Sequence, residues 1–310
     1  MSDLQTALQE YLALRRALGF KLRLAGGLLH RFVQFAEKKG ATCITTELAL
    51  QWATEPQCDP SQWANRLGMV RRFAQYRSAT DPRTQIPHQG LLPHRYRRKP
   101  PYIYRDDEVA RLIQAAQRLP SPLGLRAATY STLLGLLSVT GMRISEPIHL
   151  DCVDVDLVEG ILTVRQTKFG KSRLVPVHPS TQKVLRYYAG LRDRIFPRPT
   201  TPSFFVSERG TRLTDCTVRW TFVRLSHQIG LRGPSDRRGP RIHDLRHAWV
   251  IRTLRRCYRA GEDVERRLPA IATYIGHGHV ADTYWYLSAT PDLLKRAAAR
   301  LDRARLEVFS

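Results

Sequence analysis

Five prolines fall within residues 79–102 (Pro82, Pro87, Pro93, Pro100 and Pro101), and neither a helix nor an interior strand can run through them. Each proline removes a backbone donor, and inside a helix its ring collides with the preceding turn. The chain must therefore divide here. Arg95, Arg97, Arg98 and Lys99 lie in the same stretch. A basic linker is expected over 90–102, with a helical domain at 1–89 before it and a larger domain at 103–310 after it.

Before the break, apolar residues recur at helical spacing. Leu4, Leu8, Tyr11 and Leu12 form one stripe, which Leu18 rejoins just before Gly19. A second stripe, Leu28, Leu29, Phe32, Val33 and Phe35, stops at Gly40. Thr45 or Thr46 can cap a third segment holding Leu48 and Trp52. Asp59-Pro60 has the form of a helix start and leads to Trp63, Leu67, Val70 and Phe73.

After the break, Asp106 and Asp107 open a helix through Val109, Leu112 and Ile113, and residues 127–139 read as a buried helix. The period then drops to two over 161–167 and 173–178, two strands joined by KFGK (168–171), whose glycine suits a hairpin turn. Helical spacing returns near 180–192, 214–229, 243–258 and 265–275, and Thr290-Pro291 opens a last apolar stripe, 291–308. The expected fold class is mainly α with a small antiparallel β-sheet (α+β).

Charge narrows the partner. Fifty Lys+Arg against 27 Asp+Glu give a formal charge of +23, of which residues 1–89 carry only +5. The larger domain and its linker therefore hold a polyanion hardest, most simply a nucleic acid. A hydrophobic content of 43% is enough to build cores. No stretch approaches the roughly 18 apolar residues of a membrane span, and MSDLQTALQEYL lacks the pattern of a signal peptide. Cys43, Cys58, Cys152, Cys216 and Cys257 are odd in number and scattered, which fits no disulfide framework. A reduced, soluble, cytoplasmic protein is expected.

Four stretches carry the residue types of phosphate chemistry. TGMRISEPIHL (140–150) places Arg143 after a glycine turn, and QTKFGKSR (166–173) places Lys168 at a hairpin tip. HDLRH (243–247) puts His243 and Arg246 three residues apart, on one helix face. IGHGHVADTYWYL (275–287) puts His277 nine residues before Tyr286. Taken singly, these are ordinary surface, ion-pair or packing residues. Their order is what distinguishes them.

In that order the set resembles the tyrosine recombinase, or phage integrase-like, family: an arginine, a hairpin lysine, His-x-x-Arg, a further histidine, then a nucleophilic tyrosine. The matching positions are Arg143, Lys168, His243, Arg246, His277 and Tyr286. The resemblance covers roughly residues 103–290, and the N-terminal helices are similar in character to the family's core-binding domain. TYWYL followed by Thr-Pro looks most like recombinases encoded by transposons.

The resemblance implies cutting and rejoining of double-stranded DNA through a 3′-phosphotyrosyl link at Tyr286, with neither metal nor other cofactor. Arg143 and Arg246 would hold the non-bridging oxygens bidentately. His243 and His277 would donate hydrogen bonds where charge develops, His243 would also assist in drawing the proton from Tyr286, and Lys168 would protonate the leaving 5′ oxygen. Glu146 reads as a partner orienting an arginine, and His247 and His279 as supporting or packing residues. Tyr284 is the rival nucleophile, pointing about 200° away from Tyr286 on a helix. Arg95, Arg97, Arg98, Lys99, Arg237, Arg238 and Arg241 are candidate DNA-backbone contacts.

In relatives a C-terminal helix such as 291–308 docks on a neighbouring protomer, implying a homo-oligomer, a tetramer on paired sites, with accessory recombination proteins as possible partners. Three other functions fit parts of the sequence. A type IB topoisomerase shares much of the site, and a non-catalytic DNA-binding regulator would use the same basic segments. A metal-dependent hydrolase would draw on His243, His247, His277 and His279, or on Asp151, Asp154 and Asp156, which read more simply as a solvated turn.

Overall fold

The computed structural model describes residues 2–93, 101–165, 172–236, 239–288 and, beyond these, 294, 295, 298 and 299. The chain forms two compact units, Met1–Lys99 and Pro100–Ser310.

The first unit consists of α1 (Asp3–Ala17), α2 (Arg23–Lys38), α3 (Thr46–Thr54) and α4 (Pro60–Arg77). Local chemistry sets the helix starts. The Ser2 hydroxyl accepts from the Gln5 amide at 3.2 Å, and that of Thr45 accepts from Leu48 at 3.1 Å. Pro60 occupies the first turn of α4, where its missing amide hydrogen costs nothing, while the Asp59 side chain makes no capping bond. The apolar stripes meet in one core containing Leu8, Phe32, Val33, Ala49, Trp52, Val70 and Phe73. Leu18 does not join it. The helix ends at Ala17, Gly19 turns left-handed at φ +87°, and Leu18 is 62% exposed.

The second unit begins with α5 (Asp106–Gln117), α6 (Leu125–Thr140) and the short α7 (Ser145–Ile148). A three-stranded antiparallel sheet follows in the order β1 (Val155–Asp156), β2 (Ile161–Val164), β3 (Arg173–Pro176), with Thr163 opposite Leu174. Then come α8 (Pro179–Ile195), α9 (Asp215–Gln228), α10 (Asp244–Arg259), α11 (Val264–Ile275) and α12 (Ala281–Ser288). The mainly helical fold with a small antiparallel sheet is the one expected. Sequence patterning missed α7 and β1, which are too short to show a period.

Leu133 and Leu137 of α6 anchor the larger core of this unit, which continues through Leu162, Val175, Tyr188 and Phe222. A second cluster joins Val250, Ile251 and Leu254 of α10 to Leu268 and Ile275 of α11 and to Tyr286. The aspartate-rich turn is not simply solvated. Asp154 is buried and ion-paired to Arg165, and its carboxylate accepts the Asp151 amide at 3.1 Å. The expected helix 291–308 lies outside the described residues except at 294, 295, 298 and 299, which are helical. Among the described residues no helix is long and apolar enough to cross a membrane.

Candidate active site

The site begins where α6 stops. Gly141 adopts φ +63°, and a Cβ there would come within 3.0 Å of the Trp249 ring, so only glycine ends the helix in this way. The turn delivers Arg143 directly before α7. Its backbone amide donates to Glu146 Oε2 (2.8 Å), its Nη1 to Glu146 Oε1 (3.0 Å), and its Nη2 to the Gly276 carbonyl (2.8 Å). Arg143 is thus held by α7 and by the end of α11 together.

Glu146 serves a second arginine. Arg173, the first residue of β3, donates from Nη1 and Nη2 to its two oxygens at 2.9 and 2.8 Å, and from Nε to the Tyr274 carbonyl at 2.7 Å. Burial alone would raise the Glu146 carboxyl. The hydrogen bonds and charges of Arg173 and Arg143 outweigh that effect and keep it below its ordinary range. Gly276 is tightly fitted as well, at φ +71° and with room for a Cβ only 2.8 Å from Arg173 Nη1.

The third arginine enters from α10. Arg246 is 2% exposed; its Nη1 donates to the Gly141 carbonyl at 2.8 Å, and its buried Nη2 has no hydrogen-bond partner among the described residues. Burial, and then the Arg143 charge, lowers its pKa to about 10. His243, at the N-cap position of α10, is lowered to about 4 by burial and by Arg246, so its ring is neutral near pH 7. The predicted DNA contact Arg241 is spoken for in part: its Nη2 donates to Asp244 Oδ1 at 2.8 Å, and its amide to Oδ2 at 2.8 Å.

The end of α11 and the whole of α12 supply the rest. Gly276 caps α11 in the left-handed conformation, and His277 Nδ1 then lies 2.8 Å from the buried Thr283 hydroxyl. Tyr286 is 1% exposed, its ring stacked with His277 at 6.1 Å between centroids, whereas Tyr284 is 49% exposed. The two tyrosines face opposite ways, as their spacing requires.

The structure therefore gathers Arg143, His243, Arg246, His277 and Tyr286 in one unit around the ends of α6, α10, α11 and α12. Lys168, Arg95, Arg97, Arg98, Lys99, Arg237 and Arg238 lie outside the described residues. Two further residues join this set. His247, expected as a supporting or packing residue, has Nδ1 2.9 Å from the Tyr286 hydroxyl. Arg173, at the start of a strand and ahead of apolar Leu174 and Val175, carries no sequence signal of a role beyond that placement. Among the described residues no three His, Cys, Asp or Glu side chains come together as a metal-ligand group.

Cations set around an unfilled donor, beside an enclosed phenol, are the working parts of a tyrosine-type strand transferase. The comparison with known proteins gives the same class. Residues 103–292 match the phage integrase family, and the chain belongs to that family as a tyrosine recombinase. It is 50% identical over 98% of both chains to y4rB of Sinorhizobium fredii, whose name reads integrase/recombinase. It is 37% identical to y4rE of the same organism over 94% of both chains. Among solved structures, the fold is shared with the Tn1549 transposon integrase in complex with transposon right-end DNA: TM-score 0.67, 16% identity, 96% of this chain and 98% of that one. It is also shared with the XerH recombinase bound to its palindromic difH substrate: TM-score 0.65, 16% identity, 90% and 78% covered.

Proposed function

We propose that the protein binds double-stranded DNA and exchanges strands at specific sites through a 3′-phosphotyrosyl link at Tyr286, in the integration and excision of a mobile element. The observation that carries this is Arg246 Nη2, a guanidinium nitrogen buried without an acceptor among the described residues and next to a second arginine. A buried unpaired donor is costly. A non-bridging phosphate oxygen satisfies it and, with Arg143, is held from two sides.

In this reading the developing negative charge of the five-coordinate phosphorus is met by Arg143 and Arg246, with hydrogen bonds from His243 and His277. The tyrosine oxygen forms a bond to phosphorus while the 5′ oxygen leaves, protonated by Lys168 from the hairpin between β2 and β3. The fold shared with the Tn1549 transposon integrase supports the mobile-element setting. The 90–102 linker and the 237–241 arginines would hold the DNA backbone, four protomers would pair two sites, and the 291–308 segment would dock on a neighbour. Accessory proteins would fix direction, and the reaction would take place in the cytoplasm.

The test is incubation with a nicked suicide duplex carrying the DNA that flanks the gene. The expected product is a protein–DNA adduct that survives denaturation, is lost in Tyr286→Phe and is retained in Tyr284→Phe. Absence of adduct from the wild-type protein refutes the catalytic reading and leaves a DNA-binding regulator. The reverse mutant result moves the nucleophile to Tyr284.

A further inference from the structure

One residue within hydrogen-bond reach of the reacting atom is not among the six of the pattern. His247 lies on α10 immediately after Arg246, is 5% exposed, and places Nδ1 2.9 Å from the Tyr286 hydroxyl. Its ring is held on three sides. It meets His243 edge-on at 4.9 Å between centroids, Trp285 at 5.5 Å and Tyr286 itself at 5.4 Å. A ring so packed has little freedom to turn away from the hydroxyl.

We propose that His247 is the proton acceptor for Tyr286: its Nδ1 fixes the phenol and takes the hydroxyl proton as the bond to phosphorus forms. This rests on the reading of Tyr286 as nucleophile. Geometry is the first requirement of a general base, namely hydrogen-bond reach of the proton it removes, and His247 meets it. Need is the second. Tyr286 is 1% exposed, so its proton passes to a neighbouring acceptor and not to bulk water. His243 is the less suited candidate, since burial and Arg246 already oppose a proton on its ring.

The step balances without a further reagent. With the other nitrogen, Nε2, carrying the hydrogen, Nδ1 accepts the phenol proton and His247 becomes an imidazolium. The Tyr286 oxygen bonds to phosphorus, the bond from phosphorus to the 5′ oxygen breaks, and that oxygen takes its proton from the general acid. On rejoining, the incoming 5′ hydroxyl attacks phosphorus and gives its proton back to the group that acted as general acid, the bond from phosphorus to the Tyr286 oxygen breaks, and His247 returns its proton to the phenol. The enclosure around Tyr286 must open towards the phosphate when DNA binds, with the contact between His247 and the hydroxyl kept.

The experiment measures single-turnover adduct formation on the nicked duplex with the full chain. His247→Asn places an amide atom where Nδ1 stands, so it can hold the hydroxyl but cannot take its proton. The expected loss is roughly 10²- to 10⁴-fold in adduct rate, the usual range for a general base, with DNA affinity and melting temperature close to wild type. Replacing Tyr286 by a fluorinated, more acidic tyrosine should recover a large part of that loss in His247→Asn and change the wild type little. A merely structural role for His247 predicts no such recovery. Should His247→Asn fold poorly, His247→Gln with the same tyrosine pair reads the same quantity. A wild-type adduct rate in a folded His247 variant, or a defect the acidic phenol leaves untouched, overturns the proposal. Failure of the wild-type protein to form adduct refutes instead the nucleophile on which it rests.

Discussion

Glu146 is one carboxylate facing two guanidiniums, and replacing it by glutamine tests how the pocket holds its charge. The side chain is buried and accepts four hydrogen bonds, from the Arg143 amide and Nη1 and from both terminal nitrogens of Arg173. In Glu146→Gln one oxygen remains to accept two of them. The new NH₂ replaces the other oxygen and faces the remaining two donors. Bonds to charged groups contribute about 1.5–3 kcal/mol each, and removing one member of a buried ion pair costs about 3–5 kcal/mol because the other charge is left stranded. A destabilisation of about 3–5 kcal/mol is therefore expected in urea unfolding of the full chain, with Leu8→Ala marking the transition of the first unit. The variant also loses an acid limb. Because the folded-state pKa of Glu146 is depressed, its contribution is complete above the unfolded value of about 4.3 and is lost as pH falls through the folded one. Adduct formation should fall more than DNA affinity, since Arg143 loses its support and not its charge. A change below about 1 kcal/mol, with adduct rate preserved, would refute the account of Glu146 as the shared anchor.

Two other perturbations probe separate parts of the frame. Gly141→Ala must take φ +63° and push its methyl towards the Trp249 ring at 3.0 Å. The left-handed conformation alone costs about 1–2 kcal/mol, so a lowered melting temperature is expected together with slower adduct formation, because the Gly141 carbonyl receives Arg246. For His243, whose folded-state value is about 4 against an unfolded value of about 6.5, the unfolded chain binds more protons between those limits. Stability should rise with pH across that window, and His243→Asn should flatten the slope when unfolding is followed from pH 4 to 7.

Much of the fold was legible because its elements advertise themselves. The stripes of α1 to α4 and the apolar α6 are long enough for their period to show, and the hairpin was marked by a switch to period two. What escaped had no period to read. The four residues of α7 and the two of β1 are set by neighbours, and Leu18 looked like a continuation of α1 until the left-handed Gly19 ended it. The site divides along the same line. Arg143, Arg246, His243, His277 and Tyr286 could be picked out because their order resembles the family's pattern. His247 could not be given a task, because a histidine one position past Arg246 points about 100° away from it on a helix, and only the arrival of α12 39 residues later gives it a hydroxyl to hold. Arg173 was hidden for a related reason, since its partner Glu146 is 27 residues away and on another element.

The charge balance of the pocket links stability to function. Arg143 and Arg173 share the buried Glu146 carboxylate, while Arg246 beside them bonds the Gly141 carbonyl and makes no ion pair among the described residues, so the folded protein keeps cationic charge out of water with incomplete compensation. Such an arrangement is unfavourable by itself, and burial together with the Arg143 charge lowers the Arg246 pKa accordingly. Neutralising the pocket from within, by a second carboxylate near Arg246, would stabilise the unit and remove the unmet donor that a phosphate is proposed to satisfy. The deficit therefore belongs to the binding function. A phosphodiester entering the pocket would bring the missing negative charge, raise the Arg246 pKa back towards its ordinary value and offset the cost of burial. Ligand energy would then stabilise the catalytic unit, whose buried guanidiniums the phosphodiester would neutralise.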